Sequence, residues 1–521
     1  MRGRILRYPT SPSDGPASPR SWMVVSNREP YEHRRVDDQI RCHRTDGGLT
    51  SALDAVLRRR GGTWVAWGSG EADRAAVAPG DVVRVPPESP AYRLRRVWLS
   101  DADVTMGYLG YANEVLWPLC HMTLDRVVYK REWWEGYVAL NRRFANAVID
   151  ELRQEQSIVW AHDFHLALLP ALIKKALRSA PVSLFWHIPW PGPEVFRILP
   201  ERKEILEGML AADSLVFQTD THARSFLHCV TEFLQAPGTS SARQIHYRGH
   251  TTHLSARPIS IDMAAFTERA NSAEVETEIA DARRELGLTP GLRLGLGIDR
   301  LDYTKGLLKR LAAIDAFFTR FPAYRGQFTF LQVGVPTRNE LDVYRQYRDA
   351  VGQAVEDINQ RHGVPGSGGA ESQTWRPILY HEGRISPSRL VAYYRMADLA
   401  LVSSVYDGMN LVAKEYVASQ VNELGVLLVS HMTGAAEELS EAMLINPYDT
   451  DGVAEAIKDA LEMPADERRE RMQAMRAYLA AHDIHRWVDG CMADALGRST
   501  AFIAPPPSQD FPIVSYPGSD R

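Results

Sequence analysis

Short apolar runs rich in β-formers recur along the chain at 22–25, 158–160, 182–186, 214–217, 292–296, 328–333, 378–380, 399–402 and 426–429. They alternate with longer stretches of helical period. A strand that is apolar on both faces needs cover on both sides, the condition met by parallel sheets with helices above and below. The runs fall into two groups, which predicts an α/β chain of two Rossmann-like, doubly wound domains dividing near residue 255. The expected organisation is a disordered tail over 1–20, a first domain over 21–255 and a second over 256–480. A helical segment over 481–500 then packs back on the first domain, and a flexible tail follows over 501–521. Two stretches break the pattern: 364–373, rich in Gly and Ser, reads as a mobile surface loop, and 32–46 reads as a long charged loop.

Polar residues follow the apolar runs with unusual regularity. After them come Ser26, Asn27 and Arg28; His162, Asp163 and His165; His187; Asp299 through Gly306; Arg338; and Asp407 with Gly408. Ligands of open α/β sheets bind outside the carboxyl ends of the strands. The two domains are therefore expected to face each other across a cleft lined by these loops.

The stretch 405–415, V-Y-D-G-M-N-L-V-A-K-E, joins an apolar run to a helical pattern over 411–418. Free backbone N–H groups at a helix start favour anions. Asp407 and Glu415 are carboxylates that suit hydroxyls and repel phosphate. The combination fits a sugar joined to a diphosphate; a capped helix with a surface Glu is the plainer alternative. Arg300 and Lys305 lie at a strand end beside a second helix start, opening Leu307, Leu311, Ile314, Phe317 and Phe318. Cations there oppose the helix dipole, and a bound dianion would remove the conflict. Pairing with Asp299 and Asp302 is the alternative.

Composition narrows the class. The chain has 521 residues, 45% hydrophobic and 24% charged, enough for two domains without staples. A net charge of −5 offers no case for nucleic acid or membrane as a partner. Cys42, Cys120, Cys229 and Cys491 match no zinc or disulfide spacing, so a reducing, cytoplasmic setting is expected. No apolar stretch reaches transmembrane length, and no signal-peptide core is present at the N-terminus.

D-R-L-D-Y-T-K-G at 299–306 and D-G-M-N-L-V-A-K-E-Y-V-A-S-Q at 407–420 resemble the two signatures of trehalose-6-phosphate synthases, retaining glycosyltransferases of the GT-B fold. The resemblance runs from S-N-R at 26–28 to N-P-Y-D at 446–449. It includes V-L-W-P (115–118), H-D-F-H-L (162–166) and H-I-P-W-P (187–191). It implies that Arg300 and Lys305 bind the donor diphosphate and stabilise the leaving charge. Glu415 would hold the ribose, while Asp407, Gly408, Met409, Asn410, Leu411 and Val412 would hold the donor glucose and phosphates. His187 would contact the donor sugar, and Asp163 the acceptor hydroxyls. Arg28, Tyr108, Trp117 and Arg338 match the pocket for the acceptor's 6-phosphate, Trp67 the acceptor-side Trp, and Gly47 with Gly48 the loop that closes over the donor. A plain core role for Trp117 stays open. His165 and His121 read as structural.

What the resemblance implies for chemistry is transfer of glucose from UDP-glucose or GDP-glucose to glucose 6-phosphate, with no cofactor and no metal. Retention usually requires a carboxylate nucleophile, and no residue in the matched set has that role. Front-face attack, with the leaving phosphate taking the acceptor proton, is the mechanism attributed to the family. The donor base is expected near 381–386, where Arg384 and Ile385 lie and where Arg384 suits a guanine edge. Other phosphorylated acceptors, such as glycerol 3-phosphate or an aminocyclitol phosphate, are alternatives, as is a non-catalytic sensor of sugar phosphate. Homo-oligomerisation stays open.

Overall fold

The structure, a computed structural model, describes residues 21–45, 48–235, 238–239, 243–363 and 375–497. The tails expected at 1–20 and 501–521, the loop 364–373 and Gly47 lie outside the described residues. The described residues divide into two compact units: one of residues 21–257 together with 488–497, the other spanning Pro258–Trp487.

In the first unit, parallel strands run in the order His250–Ala256, Ser214–Phe217, Val182–Trp186, Ser157–His162, Ser21–Ser26, Thr63–Trp67 and Tyr92–Val97. Antiparallel strands Gln244–Tyr247 and Val82–Val85 extend the two sides. Counted along the chain, the central strands follow the 3-2-1-4-5-6 order of a doubly wound sheet, extended by one. The direction of winding reverses between Ser21–Ser26 and Ser157–His162.

Helix Arg131–Gln154 covers this sheet with a stripe of buried Trp133, Tyr137, Leu140, Phe144, Val148 and Leu152. It packs on a π-helix, Asp103–Leu116, whose wide turn shows where the Trp117 N–H reaches the Ala112 carbonyl. The two approach so closely that a Cβ on Gly107 would lie 2.6 Å from the Gly136 carbonyl oxygen. That approach places Tyr108.

The stretch 32–46, expected as a loop, is instead mostly a hairpin of Tyr31–Val36 and Gln39–Arg44. Asp37 and Asp38 form its two-residue turn with φ of 50° and 59°, the left-handed pair that a type I′ turn needs. A buried ionic cluster anchors the hairpin. Arg96 lies 3.1 Å from Glu29 and 2.9 Å from Asp73, and the His33 N–H donates to Asp73 at 2.7 Å. Burial, then the hydrogen-bonded Asp73 carboxylate, pushes the Glu29 acid up to about 8. Cys42 sits half-buried on the hairpin, whereas Cys120, Cys229 and Cys491 are buried, and all four are unpaired.

The second unit holds six parallel strands, ordered Ile378–Glu382, Phe328–Val335, Arg293–Arg300, Leu399–Val402, Val426–Ser430 and Met443–Ile445. This too is 3-2-1-4-5-6, with the reversal between Arg293–Arg300 and Leu399–Val402. Helix Leu307–Arg320 buries Leu307, Leu311, Ile314, Phe317 and Phe318, each contributing roughly 1.5–3 kcal/mol relative to exposure. All of the apolar runs read from the sequence lie in strands of the two sheets. Helix Ile484–Ala495 carries Asp494, which pairs with Arg257 at 2.8 Å, and Asp489, which pairs with Arg60 at 2.6 Å. No helix among the described residues is long and apolar enough to cross a membrane.

Candidate active site

The reversal point of a doubly wound sheet leaves a crevice, because adjacent strand ends send their chains to opposite faces. Each unit has one, and the expected site residues gather at both.

In the second unit, Arg300 ends its strand and is followed by a tight turn, Tyr303–Lys305. Gly306 closes the turn at φ 67°, where a Cβ would meet the Ser403 carbonyl oxygen at 2.2 Å. Only glycine fits there, so Lys305 is fixed against the neighbouring strand end. Its Nζ lies 2.5 Å from Asp407 Oδ2. Asp407 also accepts from Ser404 Oγ and Asn410 Nδ2, both at 3.3 Å. The alternative of pairing inside 299–306 holds for Arg300, 3.7 Å from Asp302, but not for Lys305. Asp299 is taken by the buried Arg310 at 2.6 Å.

Helix Leu411–Ser419 begins at Asn410, whose φ is 105° and whose side chain accepts from the Ala413 N–H at 3.1 Å. The N–H groups of Leu411 and Val412 have no acceptor within the helix. Gly408 and Met409 are buried beneath them; a Cβ on Gly434 would meet the Gly408 oxygen at 2.3 Å. One turn on, Glu415 Oε2 accepts from the Tyr394 hydroxyl at 2.8 Å. Burial pushes the Glu415 acid up to about 7, against a smaller lowering by that hydrogen bond. Arg338 sits in a left-handed conformation, φ 46°, and its Nη1 donates to Tyr344 at 2.6 Å and to Asp302 at 3.2 Å. Arg384 is exposed and Ile385 half-buried, just before helix Pro387–Met396.

In the first unit, exposed Arg28 follows one strand of the reversal and Asp163 the other. Asp163 has φ 77°, and its Oδ1 accepts from the N–H groups of Phe164 at 3.0 Å and His187 at 3.3 Å. Left-handed residues other than glycine are costly, and they cluster where function demands them. Both ring nitrogens of His187 have protein partners: Nε2 lies 3.0 Å from His162 Nδ1 and Nδ1 lies 3.2 Å from Gln218 Nε2. Burial holds His187 down to about 3, so its ring is neutral. Trp67 packs on Tyr108 with centroids 5.4 Å apart, and Tyr108 stacks on His165 at 5.6 Å. Trp117 is 6% exposed, between His121 at 4.1 Å and Phe164 at 5.6 Å. Gly48 opens helix Gly48–Arg60.

Carboxylates at two strand reversals, one of them beside the cations Arg300 and Lys305, suit a transferase that uses a phosphorylated donor. Residues 20–496 match the family described as Glycosyltransferase family 20. The chain belongs to glycosyltransferase family 20. Its similarity includes a trehalose-6-phosphate synthase of Mycobacterium avium (strain 104), 37% identical over 487 residues, covering 92% of this chain and 95% of that protein. A crystal structure of an α,α-trehalose-phosphate synthase (UDP-forming) from Burkholderia xenovorans, in complex with glucose 6-phosphate, is 31% identical with a TM-score of 0.80. The match covers 92% of this chain and all of that one, 100%. An E. coli structure bound with UDP-2-fluoro glucose is 30% identical, TM-score 0.79, covering 91% and 98% of the respective chains.

For a family 20 member, the sequence left several contributors unmarked. Gln218 holds the His187 ring, Tyr394 holds Glu415, and Tyr344 holds Arg338. His165, read as structural, joins the aromatic wall of Tyr108. Each is an ordinary core residue by pattern; only its neighbour in space reveals it. Among the described residues, no group of three or more His, Cys, Asp or Glu is placed to hold a metal ion.

Proposed function

We propose that this chain is a retaining glucosyltransferase that moves glucose from UDP-glucose to glucose 6-phosphate, forming α,α-trehalose 6-phosphate and UDP. The observation that carries this reading is the reversal point of the second unit. There Arg300 ends one strand, Lys305 lies in the turn that follows it, and the segment from Asp407 to Glu415 follows the neighbouring strand. Relatives described as trehalose-6-phosphate synthases, and solved neighbours with glucose 6-phosphate or a UDP-glucose analogue, support the choice of substrates.

In this reading Arg300, Lys305 and the Leu411 and Val412 N–H groups meet the charge that develops on the diphosphate. Glu415 accepts from the ribose, and Arg338 holds the acceptor phosphate. Asp163 and the aromatic wall of Trp67 and Tyr108 hold the acceptor sugar. Trp117, being buried, supports that wall from beneath, and the held ring of His187 fixes the donor-sugar side.

In this reading neither Asp407 nor Asp163 is the nucleophile. Asp407 is engaged by Lys305, Ser404 and Asn410, and Asp163 by two backbone N–H groups. Retention then follows from front-face attack. The bond from the anomeric carbon to the phosphate oxygen breaks, the bond to the acceptor hydroxyl oxygen forms on the same face, and the hydroxyl proton passes to the departing phosphate. Positioning and charge stabilisation supply the rate.

The decisive assay supplies UDP-glucose and glucose 6-phosphate and follows UDP and disaccharide phosphate together. Appearance of both in equal amounts is expected; absence of the disaccharide would overturn the reading. Initial rates with GDP-glucose in place of UDP-glucose test the donor base, and a clear preference for GDP-glucose would return Arg384 to a guanine-reading role. The reaction is expected to proceed unchanged in excess EDTA. Four unpaired cysteines suit the cytoplasm as its setting.

A further inference from the structure

Asp302 has no assigned part in binding or chemistry, yet it occupies a singular place. It is fully buried at 0% exposure, and one of its oxygens, Oδ2, lies 3.2 Å from Arg338 Nη1 and 3.7 Å from Arg300 Nη2. The other, Oδ1, accepts from the Thr304 N–H at 3.1 Å and the Thr304 hydroxyl at 3.0 Å. The carboxylate is therefore fixed by its own turn and shared by two guanidiniums. Burial alone would raise its pKa, but Arg300, Arg338, Lys305 and the Thr304 N–H together hold it below the ordinary carboxylate range, so it stays charged. The two arginines differ in freedom. The Arg300 side chain is 41% exposed, while that of Arg338 is 9% exposed and also donates to Tyr344.

We propose that Asp302 is a positioning residue that couples the two substrate anions, because the arginine for the donor diphosphate and the arginine for the acceptor phosphate share its single buried carboxylate. The inference rests on the roles given to Arg300 and Arg338 in the proposed function. A buried carboxylate shared by two guanidiniums ties the placement of each to that of the other. If one partner is lost, the remaining arginine neutralises the carboxylate and is drawn towards it, since an unpaired buried charge is costly. Each arginine thus governs how freely the other can turn to its phosphate. By linkage, the effect of acceptor on donor affinity equals that of donor on acceptor.

The test reads the donor side while altering the acceptor side. UDP binding, with no acceptor present, is measured by calorimetry on the unaltered protein, Arg338→Ala, Asp302→Asn and the double variant. Arg338→Ala is expected to weaken UDP about fivefold or more, the lower range of coupling between sites. In the Asp302→Asn background the same change should alter UDP affinity less than twofold. An Arg338→Ala effect below twofold, or one undiminished by Asp302→Asn, overturns the proposal.

If Asp302→Asn does not fold, the Arg338→Ala factor is compared at ordinary and about 1 M salt, where the screening length is ~3 Å. A factor acting through the shared buried carboxylate persists; one that vanishes is mere field and rejects the coupling. Failure of the unaltered protein to bind UDP would instead reject the functional reading itself.

Discussion

The two reversal points share a strand order and differ in what they present. In the second unit the strand ends carry Arg300, Lys305, Asp407 and, one helical turn on, Glu415, most of them in ion pairs or charged hydrogen bonds. In the first unit they carry Asp163 and a neutral His187, beside the packed rings of Trp67, Tyr108 and His165, with exposed Arg28 the one guanidinium among the expected site residues. One topology thus serves two tasks. In the proposed function, paired charges meet a diphosphate whose charge grows as it leaves, whereas flat apolar faces and neutral hydrogen-bonding groups suit a sugar ring that stays uncharged.

The sharpest way to break this contrast is to remove the charge that should matter most. Arg300→Ala is expected to lower kcat by about 10²–10³, the scale of losing one donor to a developing oxyanion. A variant that turns over normally would leave the second unit with no claim to the leaving group. On the sugar side, Asp163→Ala removes the acceptor for two backbone N–H groups. It should lower kcat/KM for glucose 6-phosphate about 10- to 100-fold, the worth of charged hydrogen bonds, while UDP affinity stays put. If UDP binding fell equally, the division of labour would be wrong.

Glu415 gives a gentler test. With its acid held near 7, the carboxylate that accepts from ribose is formed only as pH rises, so UDP affinity should improve about tenfold between pH 6 and pH 8. Tyr394→Phe removes a hydrogen bond that favours the charged form, and the midpoint should move upward. A flat profile would exclude Glu415 as the ribose acceptor.

The smallest effect belongs to the first unit's hairpin anchor. Because the Glu29 acid is raised in the folded chain, to about 8 from an ordinary 4.5, its contribution to stability is intact below about 4.5 and lost as pH climbs through 8. Glu29→Gln should therefore flatten the fall in Tm between pH 6 and pH 9 by about 3 °C or more. Parallel slopes for the two proteins would show that the proton on Glu29 does not matter to the fold.

Strands buried on both faces were readable because apolar residues dominate both of their faces. Tyr92–Val97, Y-R-L-R-R-V, was not, since its Arg96 looks solvent-bound until Glu29 and Asp73 are seen to enclose it. The hairpin of Tyr31–Val36 was missed for a similar reason: its outward residues are charged, and its turn uses Asp-Asp in place of a glycine. At the site, Arg300, Lys305, Asp407 and Glu415 stood out by charge and spacing. Asp302 did not, because a second acid in D-R-L-D looks like a local counter-ion, and its other partner, Arg338, is far away in sequence. The Lys305 to Asp407 pair was likewise invisible, since it joins two strands whose adjacency follows only from the strand order.

The uneven burial of the cysteines has a practical consequence. Three thiols are sealed in the core, leaving Cys42 on the hairpin as the single handle for a thiol-selective fluorophore. Burial raises its pKa to about 11, so conjugation will be slow at neutral pH and faster under mildly alkaline conditions. A dye there would sit only a few residues ahead of helix Gly48–Arg60, reporting on that corner of the molecule without any engineered cysteine.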